Sequence, residues 1–405
     1  MNKSQEKLAA ARELVSQCDR CGNCLTVCPL FGSRDIESSA ARGKNSILRA
    51  MADGGLEATP EVRAALDFCI LCQRCVENCP AKVKTDEAMI LARQYLADNA
   101  GGASVKYRFV GGVMGRPWLI KLGAVGLAIA RKLGLNSLAP FGAAPDEYTR
   151  THFLTAFAGP AALGTATAPS GTTVTKDSKV AYFKGCGMQI LFPEAAEQTM
   201  EILGRLTKPV TRDNVCCGLP HLAHAMGPDF RELARENIRQ FEDVDIVVSD
   251  CASCSGTLKH VGTYLADDPD WKDRAAAFSA KVMDLSEYLV KSGYTPRQKS
   301  KAKITYHDPC HLCRGQGIKK EPRALLAAAG EYKEMKDSDV CCGGGGSFFM
   351  DYPDISDSII DKKRRNIEAT GADVVVTGCP GCLIQLNKAA KASGKFKALH
   401  ISQVL

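Results

Sequence analysis

The 405 residues contain no long apolar run. In the one segment that invites a membrane reading, the longest uncharged stretch is Leu122–Ala130, far short of the ~20 residues a spanning helix needs. The opening MNKSQEKLAAARELVSQ is polar, helical in pattern and without the apolar core of a secretory signal, so a cytoplasmic chain is expected. There is no GxGxxG dinucleotide fingerprint. The lysines and arginines are scattered, and no basic stripe interleaved with aromatics appears, which excludes a nucleic-acid partner as the reason for the formal charge of +7. Hydrophobic content of 45% and charged content of 24% are those of a soluble globular protein, and the length predicts two or three domains.

What the chain has in excess is cysteine, 19 residues of it. The number is odd, and most of the cysteines fall in CxxC or CC clusters. That pattern does not read as a secreted disulfide framework; it reads as metal ligands in a reducing compartment. Cys18, Cys21, Cys24 and Cys28 form CDRCGNCLTVCP, and Cys69, Cys72, Cys75 and Cys79 form CILCQRCVENCP. Both follow C-x2-C-x2-C-x3-C-P, in which three close thiolates wrap one [4Fe–4S] cubane and the fourth serves the other cluster. By that logic Cys18, Cys21, Cys24 and Cys79 hold one cluster, and Cys69, Cys72, Cys75 and Cys28 hold the second. Zinc, the competing reading, usually takes two separated C-x2-C pairs. Two such clusters, each about −2 with their thiolates, bring +7 to about +3.

Between the motifs lies a short helix within Ser38–Gly54 carrying Arg42, Lys44 and Arg49, read as a solvated face, with a docking surface as the alternative. Apolar residues recur at helical spacing from Trp118 to Leu135, which predicts a helix packed across the N-terminal domain or an amphipathic contact with a partner subunit or a membrane surface. Ala158–Ser178 is rich in small residues, Thr and Pro, and reads as a linker.

After Lys179 the chain repeats itself. KVAYFKGC, NVCCGLP, DIVVSDCASC and VMDLSEYL are followed by KITYHDPC, DVCCGGG, DVVVTGCPGC and ALHISQVL. Cys186 corresponds to Cys310, Cys216 and Cys217 to Cys341 and Cys342, and Cys251 and Cys254 to Cys379 and Cys382, at offsets of 124, 125 and 128 residues. Coincidence does not keep ten cysteines in step. Short β-branched runs alternate with amphipathic stretches such as PEAAEQTMEILGRL and YPDISDSIIDKKRRNIEAT, predicting a small parallel α/β unit per copy. The cysteines follow strands, at the carboxyl ends where such folds gather ligands. Five thiolates per copy are therefore expected to converge on one site, holding an iron–sulfur cluster or zinc. The glycines after Cys342 let backbone approach that site closely. Cys313, His307 and His311 have no counterpart in the first copy. Each of these histidines, like His221 and His224, reads equally as a hydrogen-bond or proton partner of a cluster and as a structural side chain.

The doubled unit resembles the cysteine-rich CCG domains of heterodisulfide reductase B-type subunits. Set behind two ferredoxin motifs, it is similar to the iron–sulfur subunit of glycolate oxidase, to the anaerobic glycerol-3-phosphate dehydrogenase C subunit and to D-lactate dehydrogenase subunits. The resemblance implies an α+β and α/β chain. Residues 1–100 would form a helical dicluster ferredoxin-like domain and 101–178 a helical segment and linker. Residues 179–295 and 296–405 would form two CCG domains with parallel sheets. It also implies that FAD and 2-hydroxyacid oxidation lie on a partner subunit, with electrons leaving for a quinone or another carrier. The alternative is a subunit whose CCG cluster reduces a disulfide. Peripheral contact with the inner face of the cell membrane is compatible with either.

Overall fold

Each copy of the repeat forms four strands, of which those built from β-branched runs are largely buried on both faces, as parallel strands are. In the first copy these are β1 (Val180–Tyr182), β2 (Val210–Thr211), β3 (Ile246–Ser249) and β4 (Val282–Asp284). In the second they are β5 (Lys303–Tyr306), β6 (Glu331–Tyr332), β7 (Val374–Thr377) and β8 (Lys397–His400). The computed structural model describes residues 3–102, 105–116, 118, 119, 122, 172–297, 299–345 and 348–405. Among these, the strands form two four-stranded sheets, ordered β2-β1-β3-β4 and β6-β5-β7-β8, with every pairing parallel. The fold class is the expected one. The predicted helices form at Pro193–Gly204, Gly227–Gln240 and Pro353–Thr370. Both sheets change winding direction beside their first strand, and the switch point there opens a crevice at the carboxyl ends.

The two copies share one apolar core, in which Tyr182, Val248 and Met283 meet Tyr306, Val376 and Ile401. Burying a Val, Ile or Met side chain is worth ~1.5–3 kcal/mol each, so this seam is a strong one. Hydrogen bonds cross it: Ala252 N donates to Gly378 O at 2.9 Å, and Ser402 Oγ donates to Ala195 O at 2.8 Å.

The N-terminal region is helical. Lys3–Leu14 and Thr85–Asn99 pack through Leu8, Ala11, Met89, Ala92 and Leu96. The two cysteine loops share a backbone device. Arg20 and Gly22 in the first loop, and Leu71 and Gln73 in the second, take left-handed φ angles of 57°, 90°, 51° and 61°. These are the third and fifth residues of each motif. The alternation turns successive N–H groups to one side, the concave arrangement that cradles anionic clusters.

The helix Ala41–Ala52 corrects one expectation, because Lys44 does not lie on a solvated face. Lys44 is 1% exposed and donates to Ser38 O at 2.8 Å and to Ala65 O. Arg49 reaches Val15 O at 2.6 Å and Ser16 O at 2.7 Å, and Arg42 is held by Glu37 at 2.7 Å. Loop carbonyls left without helix or sheet partners draw these cations inward. Of the expected helix Trp118–Leu135, only Trp118, Leu119 and Leu122 are described. Of the Ala158–Ser178 linker, residues 158–171 lie outside the described residues, as does Gly346. No described helix is long and apolar enough to cross a membrane.

Candidate metal centres

Each copy brings its five cysteines from three strand ends. Cys186 opens the helix after β1, and Cys310 opens the one after β5. The vicinal pairs follow β2 and β6. Cys251 and Cys379 are the N-caps of the helices after β3 and β7, which carry Cys254 and Cys382 one turn on. Gly218 and Gly343 then turn the chain, with φ of 86° and 81°. A Cβ at Gly218 would lie 2.6 Å from the Phe230 ring, and one at Gly343 2.9 Å from Ser356 O, so each CCG needs its glycine. Gly345 serves another purpose: a Cβ there would meet Ile70 of the second ferredoxin loop at 2.8 Å.

The thiols touch in series. In the first copy hydrogen bonds run from Cys186 to Cys216, on to Cys217, then Cys254 and Cys251. In the second they run from Cys310 to Cys341, then Cys342, Cys382 and Cys379. Backbone N–H groups aim at the sulfurs: Gly218 N at Cys216 Sγ (3.5 Å), Cys254 N at Cys251 Sγ (3.4 Å) and Gly343 N at Cys341 Sγ (3.4 Å). The structure thus brings all ten repeat cysteines into two five-thiol groups.

Sequence spacing gave no hint that these groups adjoin one another. The Cys251 and Cys379 thiols are hydrogen-bonded across the seam. Ser253 Oγ sits beside them, 3.4 Å from Cys379 Sγ and 2.7 Å from His311 Nδ1. On the far side, Cys72 of the second ferredoxin loop packs in one apolar cluster with Cys341, Ile70 and Phe348. In the N-terminal region, Cys79 lines a small cavity with Cys18, Cys21 and Cys24, and Cys28 lines another with Cys69 and Cys72. Cys75 lies between the two and borders both. Four groups of sulfurs therefore stand in one line: the first loop, the second loop, the second copy, the first copy.

The groups invite positive charge. Burial first, then the neighbouring charge of Cys341, holds the Cys72 thiol above its usual range; burial and then Cys72 and Cys69 do the same to Cys75. Hydrogen bonding to Cys341 and burial raise Cys310, and hydrogen bonding to Cys342 and Cys379 and burial raise Cys382. Buried sulfurs this close cannot ionise together without a cation. Soft thiolates with N–H donors at their backs fit iron–sulfur clusters or zinc.

The histidines divide. His221 Nε2 meets Gly111 O at 3.1 Å, and His224 stacks on Tyr107 at 3.5 Å between ring centroids. Both are structural clasps on the helix Val105–Met114. His307 is different. It is 1% exposed, and neither ring nitrogen makes a well-formed hydrogen bond among the described residues, the backbone of Ser338 being within weak reach. Its ring lies with the Cys342 and Cys382 sulfurs, ligand atoms all within 4.8 Å of one another. Cys313 is buried outside the five-thiol group, and burial pushes its thiol up to about 12. A cavity of about 230 Å³ opens beside Cys69, lined by Arg63, Arg93, Tyr107, His224, Phe348 and Tyr352 among others.

Residues 14–83 match the 4Fe-4S dicluster domain family, and residues 180–259 and 304–387 each match the cysteine-rich domain family CCG. The chain is 30% identical over 434 residues to the probable glycolate oxidase iron-sulfur subunit of Bacillus subtilis (strain 168), a match that covers 96% of the chain and 92% of the relative. It is 32% identical over 234 residues to lactate utilization protein A of Halalkalibacterium halodurans, covering 56% of the chain and 96% of the relative. It is 31% identical over 235 residues to the B subunit of the fumarate reductase (CoM/CoB) of Methanothermobacter marburgensis, covering 56% of the chain and 46% of the relative.

Proposed function

Because the chain belongs to the family of iron–sulfur subunits that join a 4Fe-4S dicluster domain to two CCG domains, we propose that it serves a flavin-dependent 2-hydroxyacid dehydrogenase. Its partner would be an FAD-containing subunit that oxidises glycolate or D-lactate, the chemistry in the names of its relatives. The observation that carries this reading is the unbroken line of thiols from the N-terminal loops, through Cys72 and Cys341, to Cys379 and Cys251.

Cys18, Cys21, Cys24 and Cys79 would hold one [4Fe–4S] cluster, and Cys28, Cys69, Cys72 and Cys75 the other. Cys310, Cys341, Cys342, Cys379 and Cys382 would hold a further cluster, and Cys186, Cys216, Cys217, Cys251 and Cys254 the last. Bound there, such clusters supply one-electron carriers. The chain's own part is to keep them dry and poised. Most of the repeat thiols are buried, and N–H groups at Gly218, Cys254 and Gly343 offset the negative charge on their sulfurs. The cavity beside Cys69, lined by aromatic rings and by Arg63 and Arg93 paired to Asp67, suits the docking of a quinone or other small acceptor. Val105, Phe109, Trp118 and Leu122 expose 79%, 73%, 61% and 62% of their surface, which supports contact of this segment with a partner or with the inner face of the cell membrane by a cytoplasmic protein. Disulfide reduction at a CCG site is the second reading.

The test is anaerobic purification of the chain from its own cells. An FAD protein should come with it, and glycolate or D-lactate should bleach the iron–sulfur absorbance of the complex. Absence of flavin, together with reoxidation of the reduced chain by a disulfide, would overturn the proposal in favour of the second reading.

A further inference from the structure

The two copies are near-equivalent in backbone, which makes a chemical difference at an equivalent place informative. Phe183 N donates to Val248 O at 2.8 Å, and His307 N donates to Val376 O at 2.9 Å. These are the same bond in the two sheets, one residue beyond the first strand and three before the first cysteine. The first copy fills that place with Phe183, fully buried. The second puts an imidazole there. A buried imidazole with neither nitrogen well satisfied costs roughly 1–3 kcal/mol, and a fold that already accommodates phenylalanine at this position has no packing need for it. A neutral imidazole keeps a lone pair on one of its nitrogens.

That lone pair has one destination in reach. The His307 nitrogen and the Cys342 and Cys382 sulfurs lie within 4.8 Å of one another. Ligands of one tetrahedral metal sit about 3.5–3.8 Å apart, given metal–nitrogen and metal–sulfur bonds of about 2.0 and 2.3 Å. The three side chains thus stand almost as a ligand set before any metal is considered. Among the described residues, no other group of three His, Cys, Asp or Glu side chains with a histidine in it is so placed.

We propose that His307 is a metal ligand of the second five-thiol site, alongside Cys342 and Cys382. The inference rests on the iron–sulfur reading of that site. It makes the two CCG sites unlike: the first holds its metal by sulfur alone, the second by sulfur and nitrogen.

The experiment uses the full chain, purified anaerobically with natural-abundance or ¹⁵N-labelled histidine and poised so that the second site is paramagnetic. Pulsed electron paramagnetic resonance should show a strong nitrogen coupling that changes with the label. His307→Phe, the residue the first copy carries, should abolish that coupling and keep the iron and sulfide content. His311→Gln should leave the coupling in place. No histidine coupling in the labelled wild-type protein, or a coupling that survives His307→Phe, overturns the inference while leaving the iron–sulfur reading intact. Because the labelled wild type is read first, a His307→Phe chain that fails to fold does not spare the proposal. Stoichiometric zinc at the second site in place of iron overturns the iron–sulfur reading and this inference with it.

Discussion

Single residues carry the geometry of the sites, and several were legible because their chemistry is local. The C-x2-C-x2-C-x3-C-P runs and the doubled CCG state their ligand sets in spacing alone. Gly343 states its reason in space. It has φ of 81°, and a Cβ would lie 2.9 Å from Ser356 O. Gly371 has φ of 65° with nothing within 4 Å of a Cβ. Gly343→Ala should therefore cost about 2 kcal/mol more than Gly371→Ala, the difference being overpacking with the left-handed penalty common to both. Urea denaturation of the two variants measures it, and equal losses would mean the close approach relaxes freely. Cys79→Ser should remove the resonance of the cluster at Cys18, Cys21 and Cys24 and spare the one at Cys69, Cys72 and Cys75. Loss of the latter alone would show that the fourth cysteines do not cross. His307 was not legible as more than one histidine among several, because a poorly partnered ring is a property of the packed interior.

Among the elements, the strands beside the sites were readable as β-branched runs. β2 and β6, two residues each, were not, since Val210–Thr211 and Glu331–Tyr332 carry no periodic signal. The helix Ala41–Ala52 misled for a physical reason. Its cations look solvent-facing on a helical wheel, yet unpaired loop carbonyls pull Lys44 into the interior. The end of β4 carries a testable strain. Asp284 caps the helix Leu285–Lys291 through Ser286 N at 2.8 Å, and burial lifts its pKa to about 7. The folded chain then holds a proton that the unfolded chain releases near pH 4. Asp284's contribution to stability is complete below that pH and is lost as the pH rises through about 7. Asp284→Asn, which keeps an acceptor at the cap and cannot ionise, should be more stable than wild type at pH 8 by up to about 4 kcal/mol and no more stable at pH 4. Denaturation midpoints at the two pH values measure this. Parallel pH profiles for both proteins would show that Asp284 ionises normally.

At the scale of the whole molecule, what matters is how distant segments meet, and spacing says little about that. Nothing in the sequence told that Cys251 and Cys379, 128 residues apart, would touch, or that Gly345 would admit Ile70. Pseudo-symmetry of the repeat makes the first contact, and one buried cation helps make the second. The Arg314 side chain, 1% exposed, donates to Glu77 of the second ferredoxin motif at 2.7 Å and to Asp339 beside the second CCG. Arg314→Ala should cost about 2–3 kcal/mol and, by loosening Cys72 from Cys341, slow electron exchange between the N-terminal loops and the repeat. Stopped-flow reduction would reveal it, and an unchanged rate would mean apolar packing alone holds the junction. The central claim is that the repeat sites, like the N-terminal loops, hold iron–sulfur clusters and so complete one line of redox centres. Anaerobic iron, zinc and acid-labile sulfide analysis of the full chain tests it most directly. Two cubanes account for about eight irons, so the account predicts clearly more than eight, with sulfide to match. Eight irons with zinc in both repeat sites would contradict it.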